Sequence, residues 1–263
     1  RKLGIICIEG SWHGRTMGAQ MMSGNTSQKE WIGYHDPNIH HIGFPYPWVL
    51  NENLGEEFLE SELQKLQNIG LDMNKDICGV MLETFQGWGA IFYPVGFVQA
   101  FEKICKKYDI LLTFDEIQSG FARTGKKFGY EHYGVQADLL CCGKGIASGF
   151  PLSAVIGTAE IMDLPEVGNM SSTHSANPFV CAAGLATLEE IRKLDLVAET
   201  KRKGLIFHQK LNELKKKYPD HISYVFGIGL LAALIFKLPD KNKPDTLLPS
   251  IISEKAMQKG LLV

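Results

Sequence analysis

The amino-acid sequence predicts an α/β protein in which helices cover a largely parallel β-sheet. Two observations support this fold class. Short apolar segments alternate with longer segments of helical periodicity, and each apolar segment is followed by glycine or polar residues. Strands buried on both faces have this continuous apolar composition. With 263 residues, 45% of them hydrophobic, the chain can bury a substantial core.

Strand-like and helix-like segments follow each other over most of the chain. The predicted strands are residues 3–9, 77–83, 110–115, 139–142 and 153–157. The predicted helices are residues 55–70, 95–108, 177–194 and 196–218. In the second helix, Phe97, Phe101 and Ile104 recur at helical spacing. Residues 23–53 contain three prolines and predict a long loop with a role at a cleft or an interface.

The pattern changes near residue 218. Residues 222–226 and 230–236 predict a pair of strands, and residues 239–249 are polar. We therefore expect a large domain at 1–195 and the start of a small C-terminal α+β domain at 196–263. The chain opens without Met on a core strand and ends on residues 260–263, which resemble a strand just beginning. We expect both ends to be cut, with the N-terminal part of the large domain missing.

Charge and cysteine content exclude several classes of function. The formal net charge of −2 gives no basic face for nucleic acid or an anionic membrane. The six cysteines lie mostly in apolar segments without zinc-site spacing, which predicts reduced thiols in the cytoplasm and no metal site. No apolar run reaches membrane-spanning length, and no signal peptide opens the chain.

A carboxylate and a lysine follow two of the predicted strands. Asp115 and Lys144 should both reach one crevice, because ligands of open α/β sheets bind at the carboxyl ends of strands. Pyridoxal 5′-phosphate (PLP) requires such a pair: an amine for its aldehyde and an acid for its ring nitrogen. Each residue alone also fits a purely structural role. An aspartate at a strand end is often a helix cap or a turn former, and a lysine beside glycines is often solvated.

Four sequence blocks resemble the class III aminotransferases, which include ornithine, acetylornithine and 4-aminobutyrate aminotransferases. The blocks occur in the family's order and spacing, and Thr84 stands where the family usually has proline. They are residues 10–16, 82–87, 113–125 with 142–145, and 172–178. The resemblance implies fold type I of the PLP-dependent transferases.

The resemblance also implies roles for individual residues. Lys144 would form the Schiff base with PLP and then shuttle a proton, its amine kept available by burial. Asp115 would pair with the pyridine nitrogen, and Gln118 would hydrogen-bond the ring 3′-oxygen. Trp12 would stack on the ring, where the family usually has Phe or Tyr. His13 is a further cofactor-binding candidate, although shaping the turn is the favoured role.

Five further residues receive roles around this centre. Glu83 is counted with the catalytic residues, because it would orient Asp115 or its surroundings. Thr173 would bind the cofactor phosphate of the neighbouring subunit in a homodimer. Asn177 is expected to cap a helix, with Pro178 in its first turn. Arg123 is expected to hold its loop together.

The reaction implied by the resemblance is transamination. An amino group would pass from an amine or amino acid to a keto acid or aldehyde through a pyridoxamine intermediate. Two alternatives remain open: an aminomutase that shifts an amino group between neighbouring carbons, and a catalytically incompetent fragment or scaffold subunit. Trp88 stands where several members that handle ω-amino acids have a glutamate, which favours a hydrophobic pocket or a different gate.

Overall fold

The computed structural model describes residues 1–45, 52–238 and 244–263 of the chain. The strands are β1 Gly4–Ile8, β2 Ile39–Ile42, β3 Ile77–Glu83, β4 Phe85–Gln86, β5 Ile91–Phe92, β6 Leu111–Asp115, β7 Leu139–Cys142, β8 Ala154–Gly157, β9 Ile222–Phe226 and β10 Ala233–Phe236. The α-helices are α1 Met17–Met22, α2 Glu52–Asn68, α3 Val95–Tyr108, α4 Ala159–Met162, α5 Pro178–Lys193, α6 Leu196–Lys217 and α7 Leu248–Gln258.

A six-stranded sheet in the order β2-β1-β3-β6-β7-β8 organises the molecule. All its neighbouring strands run parallel except β7 and β8, which are antiparallel. The predicted α/β class with a largely parallel sheet is confirmed. The register places Glu83 beside Asp115, and Asp115 beside Cys141. Three adjacent strands therefore end at the same edge of the sheet.

Helices α2 and α3 cover one face of this sheet. The apolar stripe of α3 explains its position, because Phe97 and Phe101 are fully buried and pack edge-to-face with ring centroids 5.2 Å apart. Phe114 on β6 is also fully buried. Each such side chain stabilises the fold by about 2–3 kcal/mol through the apolar area that it removes from water. The helix ends at Tyr108, followed by Asp109 in the left-handed region.

Two segments of the main sheet differ from the sequence prediction. Residues 23–53 are not one loop, because β2 lies within them and pairs in parallel with β1 at the sheet edge. Its sequence Ile-His-His-Ile is only half-buried, so it lacks the apolar signature of a central strand. The predicted strand at 153–157 is an antiparallel edge strand, with Val155 52% and Ile156 46% exposed, not a strand buried on both faces.

The C-terminal region also departs from expectation in part. Helix α7 begins at Leu248 in the polar segment 239–249, for which no element was predicted, and residues 239–243 lie outside the described residues. Residues 260–263 form no strand. The strands β9 and β10 pair as expected in a separate antiparallel sheet. The domain division at 195 and 196 stays a prediction. None of the described helices is long and apolar enough to cross a membrane.

Candidate active site

A cavity of about 130 Å³ opens at the carboxyl ends of β3 and β6. It is lined by Trp12, His13, Gly14, Glu83, Thr84, Phe85, Asp115, Ile117, Gln118, Ser119 and Lys144. Six of the seven predicted site residues are among them. The seventh, Thr173, lies in an exposed turn between α4 and α5 and does not line this cavity.

Asp115 is the last residue of β6 and lies at the base of the cavity, only 7% exposed. Its Oδ2 atom is 2.9 Å from Nδ1 of His13, whose side chain is also buried. Its Oδ1 atom accepts a hydrogen bond of 3.1 Å from the backbone N–H of Ile117. An ionised Asp115 requires the proton on Nδ1 of His13, which fixes the tautomer and leaves Nε2 as the free ring nitrogen. Nε2 is buried and has no hydrogen-bond partner in the structure.

This contact gives His13 a more specific role than shaping a turn. The imidazole touches the predicted cofactor-binding carboxylate directly, across 102 positions of sequence. It holds one oxygen of Asp115 while the Ile117 N–H holds the other. The carboxylate is therefore fixed in orientation from two sides.

Glu83 ends β3 next to Asp115 and is 7% exposed. Its Oε2 atom accepts a hydrogen bond of 3.0 Å from the backbone N–H of Trp12. Burial raises the pKa of the Glu83 carboxyl to about 8, and the negative charge of Asp115 also raises it. The backbone N–H groups of Trp12 and Gly87 lower this pKa, but by less than burial raises it. Glu83 was expected to orient Asp115 or its surroundings; the hydrogen bond that the structure shows goes to Trp12.

Lys144 begins a short 3₁₀ helix, Lys144–Ala147, immediately after β7 and Gly143. Its φ angle of +35° lies in the left-handed region, which non-glycine residues rarely adopt. The side chain lines the cavity but is exposed, so the expectation that it would be buried is wrong. The exposure follows from its position on the rim, beyond the end of the strand.

Trp12 and Gln118 complete the predicted set from two different turns. The Trp12 ring is 38% exposed, and the guanidinium carbon of Arg15 lies 4.4 Å from its centroid. Gln118 is exposed on the turn that follows β6. An indole face, an amide, a carboxylate and an amine therefore surround one cavity.

Sequence reasoning assigned no role to Glu116, which anchors the turn that carries Gln118. Glu116 is fully buried and accepts four hydrogen bonds of 2.6–2.8 Å. The donors are the hydroxyls of Thr84 and Ser119 and the backbone N–H groups of Gly129 and Tyr130. Burial raises the pKa of its carboxyl, against these four donors. One signal was present: Glu116 directly follows Asp115 at the end of a strand, where the alternation of side chains predicts that the two carboxylates point in opposite directions.

The Thr84 departure has a direct structural consequence. A proline at this position would have no hydroxyl, whereas Thr84 donates one to Glu116 at 2.7 Å. The Thr84 carbonyl also accepts a hydrogen bond of 2.6 Å from the Tyr133 hydroxyl. Thr84 thus ties the end of β3 to the turn after β6.

Trp88 is 56% exposed and does not line the cavity. Its indole N–H donates to the Gln86 side-chain oxygen at 3.1 Å, and the Gln86 amide donates to the Glu9 carbonyl at 2.8 Å. Among the described residues, no group of three or more His, Cys, Asp or Glu could hold a metal ion.

Comparisons with known proteins show the family of the chain. The family model described as Aminotransferase class-III matches residues 1–263. A probable 4-aminobutyrate aminotransferase of Bacillus subtilis is 34% identical over 269 residues, covering 100% of this chain and 62% of its own length. An acetylornithine aminotransferase of Caldanaerobacter subterraneus is 34% identical over 260 residues, covering 98% and 59%. The chain therefore spans about 60% of the length of these relatives.

Solved structures show the same fold. An amine transaminase from an uncultivated Pseudomonas species, in its PLP-bound form, superposes with a TM-score of 0.90 at 26% identity, covering 100% of this chain and 62% of that one. A taurine:2-oxoglutarate aminotransferase of Bifidobacterium kashiwanohense, in complex with PLP and glutamate, gives a TM-score of 0.87 at 26% identity, with coverage of 99% and 62%. The expected fold type I is confirmed by these likenesses.

Proposed function

Since this chain belongs to the class-III aminotransferase family, we propose that its cavity binds PLP and that the whole protein transfers an amino group from an amine or amino acid to a keto acid or aldehyde. The observation that carries the proposal is the convergence of Lys144, Asp115 and His13 on one cavity, with Asp115 held 2.9 Å from the His13 ring. The relatives that the chain resembles are named as aminotransferases.

The residues present fit this cofactor. Bound PLP supplies an aldehyde that reacts with amines and a ring that accepts electron density. The buried Asp115 carboxylate suits a protonated ring nitrogen, because an opposite charge within a buried site favours the charged form. Gln118 offers an amide to a ring oxygen, and Trp12 offers an aromatic face.

Lys144 is the lysine among the described lining residues and is therefore proposed as the covalent anchor. Once a substrate amine has taken its place, its Nζ atom would act first as a general base, which removes the proton from the substrate carbon, and then as a general acid, which gives that proton to the cofactor and not back to that carbon. Its exposed position on the rim leaves the amine accessible. Asp115 and His13 would hold charge at the base of the cavity while Lys144 moves the proton at its opening.

Glu83 would take part by holding the turn that carries the indole. Its hydrogen bond to the Trp12 N–H fixes the backbone beneath the ring. With its pKa raised to about 8, Glu83 is largely neutral near pH 7, so it adds little negative charge beside Asp115. Asp115 then supplies the main negative charge for a ring nitrogen.

A homodimer with Thr173 at the neighbouring subunit's phosphate is part of the proposal. The segment before α5 and the first turn of that helix support it, because Leu164, Val167, Met170 and Phe179 are 69–106% exposed in the single chain. Exposed apolar groups in one region are typical of a surface that another chain covers. Light scattering of the protein in solution checks the dimer, and a monomer with full PLP affinity would contradict it.

We further propose a cytoplasmic location, supported by six free cysteines of which Cys7, Cys105 and Cys142 are buried. Detection of the native protein only in an oxidising compartment would contradict this location. The aminomutase and scaffold alternatives have no observation in their favour among the relatives compared.

Borohydride reduction of the protein with PLP tests the function. We expect a visible absorbance band that reduction bleaches, and a covalent mass addition on the peptide that contains Lys144. Lys144→Ala should lose both, whereas Lys103→Ala, an exposed lysine on α3, should keep them. An amino-donor screen then identifies the substrate from the change in this band. Modification that persists in Lys144→Ala would refute the assignment.

A further inference from the structure

We propose that Lys29 is a positioning residue of this site, whose buried ammonium holds the loop after α1 so that Ser23 fixes His13 against Asp115. Lys29 belongs to no motif of the family resemblance and does not line the cavity. The inference goes beyond the proposed function, because it concerns how the chain orders its own site.

Lys29 is a lysine in an unusual environment. It is only 4% exposed, and its Nζ atom donates to the backbone carbonyls of Met21 at 2.9 Å and Ser23 at 2.6 Å. Within the described part of the chain, no carboxylate lies at ion-pair distance from it. A buried charge without a counter-ion is unfavourable, so its hydrogen bonds to the loop must offset the loss of hydration.

The groups that face Lys29 do not supply a counter-ion. Cys7 on β1 lies nearby, but burial raises the pKa of its thiol to about 12, so it stays neutral near pH 7. His41 on β2 also faces it and contacts the Met22 carbonyl at 3.1 Å through Nε2. Burial lowers the pKa of Lys29. The interactions that hold the ammonium are therefore those to the loop carbonyls.

Ser23 connects this loop to the site. It is 1% exposed, and its hydroxyl donates to the Ala19 carbonyl at 2.9 Å while accepting from the backbone N–H of His13 at 2.9 Å. His13 in turn holds Asp115 at 2.9 Å. An unbroken series of hydrogen bonds thus runs from Lys29 through Ser23 and His13 to Asp115.

A second contact shows that the loop and the site turn form one unit. The N–H of Gly24 donates to the Ser11 carbonyl at 2.9 Å. A Cβ atom on Gly24 would lie 2.2 Å from the Ile8 carbonyl oxygen, so the loop presses directly against the end of β1. Displacement of the loop would therefore displace the turn that carries the Trp12 indole and the His13 imidazole.

Two consecutive backbone N–H groups of that turn are held by side chains from outside it. Glu83 holds the N–H of Trp12, and Ser23 holds the N–H of His13. The Glu83 anchor comes from the sheet and persists without Lys29. Loss of Lys29 should therefore loosen His13 more than Trp12, a selective effect that general destabilisation would not produce.

The test uses the cofactor-free protein, so that it does not depend on the proposed function. We compare wild type with Lys29→Met, which keeps the chain length without the charge, and with Ser23→Ala, which removes the hydroxyl. Leu66→Ala, a core truncation on α2, is the control for general destabilisation. Backbone hydrogen exchange and ¹⁵N NMR of the His13 ring are the readouts.

We expect the His13 amide to exchange about tenfold faster in Lys29→Met and Ser23→Ala, relative to amides of the β3 core. The His13 ring should lose its single tautomer signal in both variants. Leu66→Ala should keep the wild-type ratio between the exchange rates of the His13 amide and the β3 amides, and it should keep the wild-type NMR signal of the His13 ring. If Lys29→Met does not fold, Lys29→Gln, which is also uncharged but keeps an N–H donor, takes its place, and Ser23→Ala tests the contact to His13 separately. Wild-type His13 behaviour in a folded Lys29→Met or Ser23→Ala protein would overturn the proposal.

PLP affinity provides the link to function. It should fall about tenfold in Lys29→Met, because a small displacement of positioning groups weakens a site of this kind, and it should be retained in Leu66→Ala. An equal loss in Lys29→Met and Leu66→Ala would count against a positioning role. If even the wild-type protein binds no PLP, the proposed function fails, and the exchange and NMR results still decide the role of Lys29.

Discussion

Replacing Glu83 with glutamine should flatten the pH dependence of the protein's stability. Burial raises the pKa of this carboxyl from its ordinary value of 4.5 to about 8. The folded protein therefore holds a proton that the unfolded chain releases between these values. The free energy of unfolding must fall as pH rises through this window, because ionisation in water stabilises the unfolded chain while the buried carboxyl of the folded protein stays protonated. Glutamine carries no such proton and should remove the effect.

The magnitude follows from the width of the window. One pKa unit corresponds to about 1.4 kcal/mol of stability. The interval from about pH 5 to about pH 8 contains more than two of the pKa units that separate the unfolded from the folded carboxyl. Over that interval, we expect the free energy of unfolding to fall by about 3 kcal/mol more in the wild-type protein than in Glu83→Gln. The carboxyl is only 7% exposed, so solvent screening reduces this value little.

Urea unfolding at both pH values, followed by circular dichroism, measures the difference. Glu60→Gln is the matched control, since Glu60 is an exposed carboxylate on α2, and it should keep the wild-type pH profile. If the free energy of unfolding changed equally with pH in the wild type and in Glu83→Gln, Glu83 would be shown to be already ionised in the folded protein. The assignment of Glu83 as a neutral partner of Trp12 would then be wrong.

Two further predictions concern the supports of the site. Glu116→Ala should lower the free energy of unfolding by about 3 kcal/mol, because it leaves the buried hydroxyl donors of Thr84 and Ser119 without their acceptor. Urea denaturation measures this loss, and a loss below about 1 kcal/mol would contradict the anchoring role of Glu116. Gly24→Ala should force the loop away from β1, because its Cβ would lie 2.2 Å from the Ile8 carbonyl oxygen. Its melting temperature should fall markedly, whereas Gly33→Ala, at a site with open space but positive φ, should show the smaller cost of backbone strain alone.

The elements that were predicted well have signals contained within their own sequence. Helix α3 is found at the predicted bounds, because its buried face recurs at helical spacing and its end is marked by Asp109 in the left-handed region. Strands β3 and β7 also match, since their apolar runs are buried in the central sheet. Local periodicity is sufficient where burial is continuous along the element.

The missed elements depend on partners elsewhere in the chain. Strand β2 forms because β1 offers an open edge, and its two histidines pair with Ile6 and Cys7 on that strand. The antiparallel direction of β8 results from the path by which the chain returns to β7. Neither the open edge nor the return path is encoded in the apolar pattern of the segment itself.

The same distinction applies to the site. The motif residues were identifiable because reactive side chains follow apolar strands, and parallel strands end at one edge. The supports of these residues were not identifiable in this way. His13 meets Asp115 across 102 positions, and Thr84 meets Glu116 across 32. Lys29 lies outside every recognised motif, in a segment that was expected to be a loop.

The sequence by itself determined the fold class, the central strands and six of the residues that line the cavity. Their side-chain chemistry and their place after apolar segments are local properties of the chain. Only the tertiary structure decided which oxygen of Asp115 faces His13, why the pKa of Glu83 is raised, and where the ammonium of Lys29 is held. These depend on burial and on distances between remote segments, which exist only after the sheet has brought those segments together.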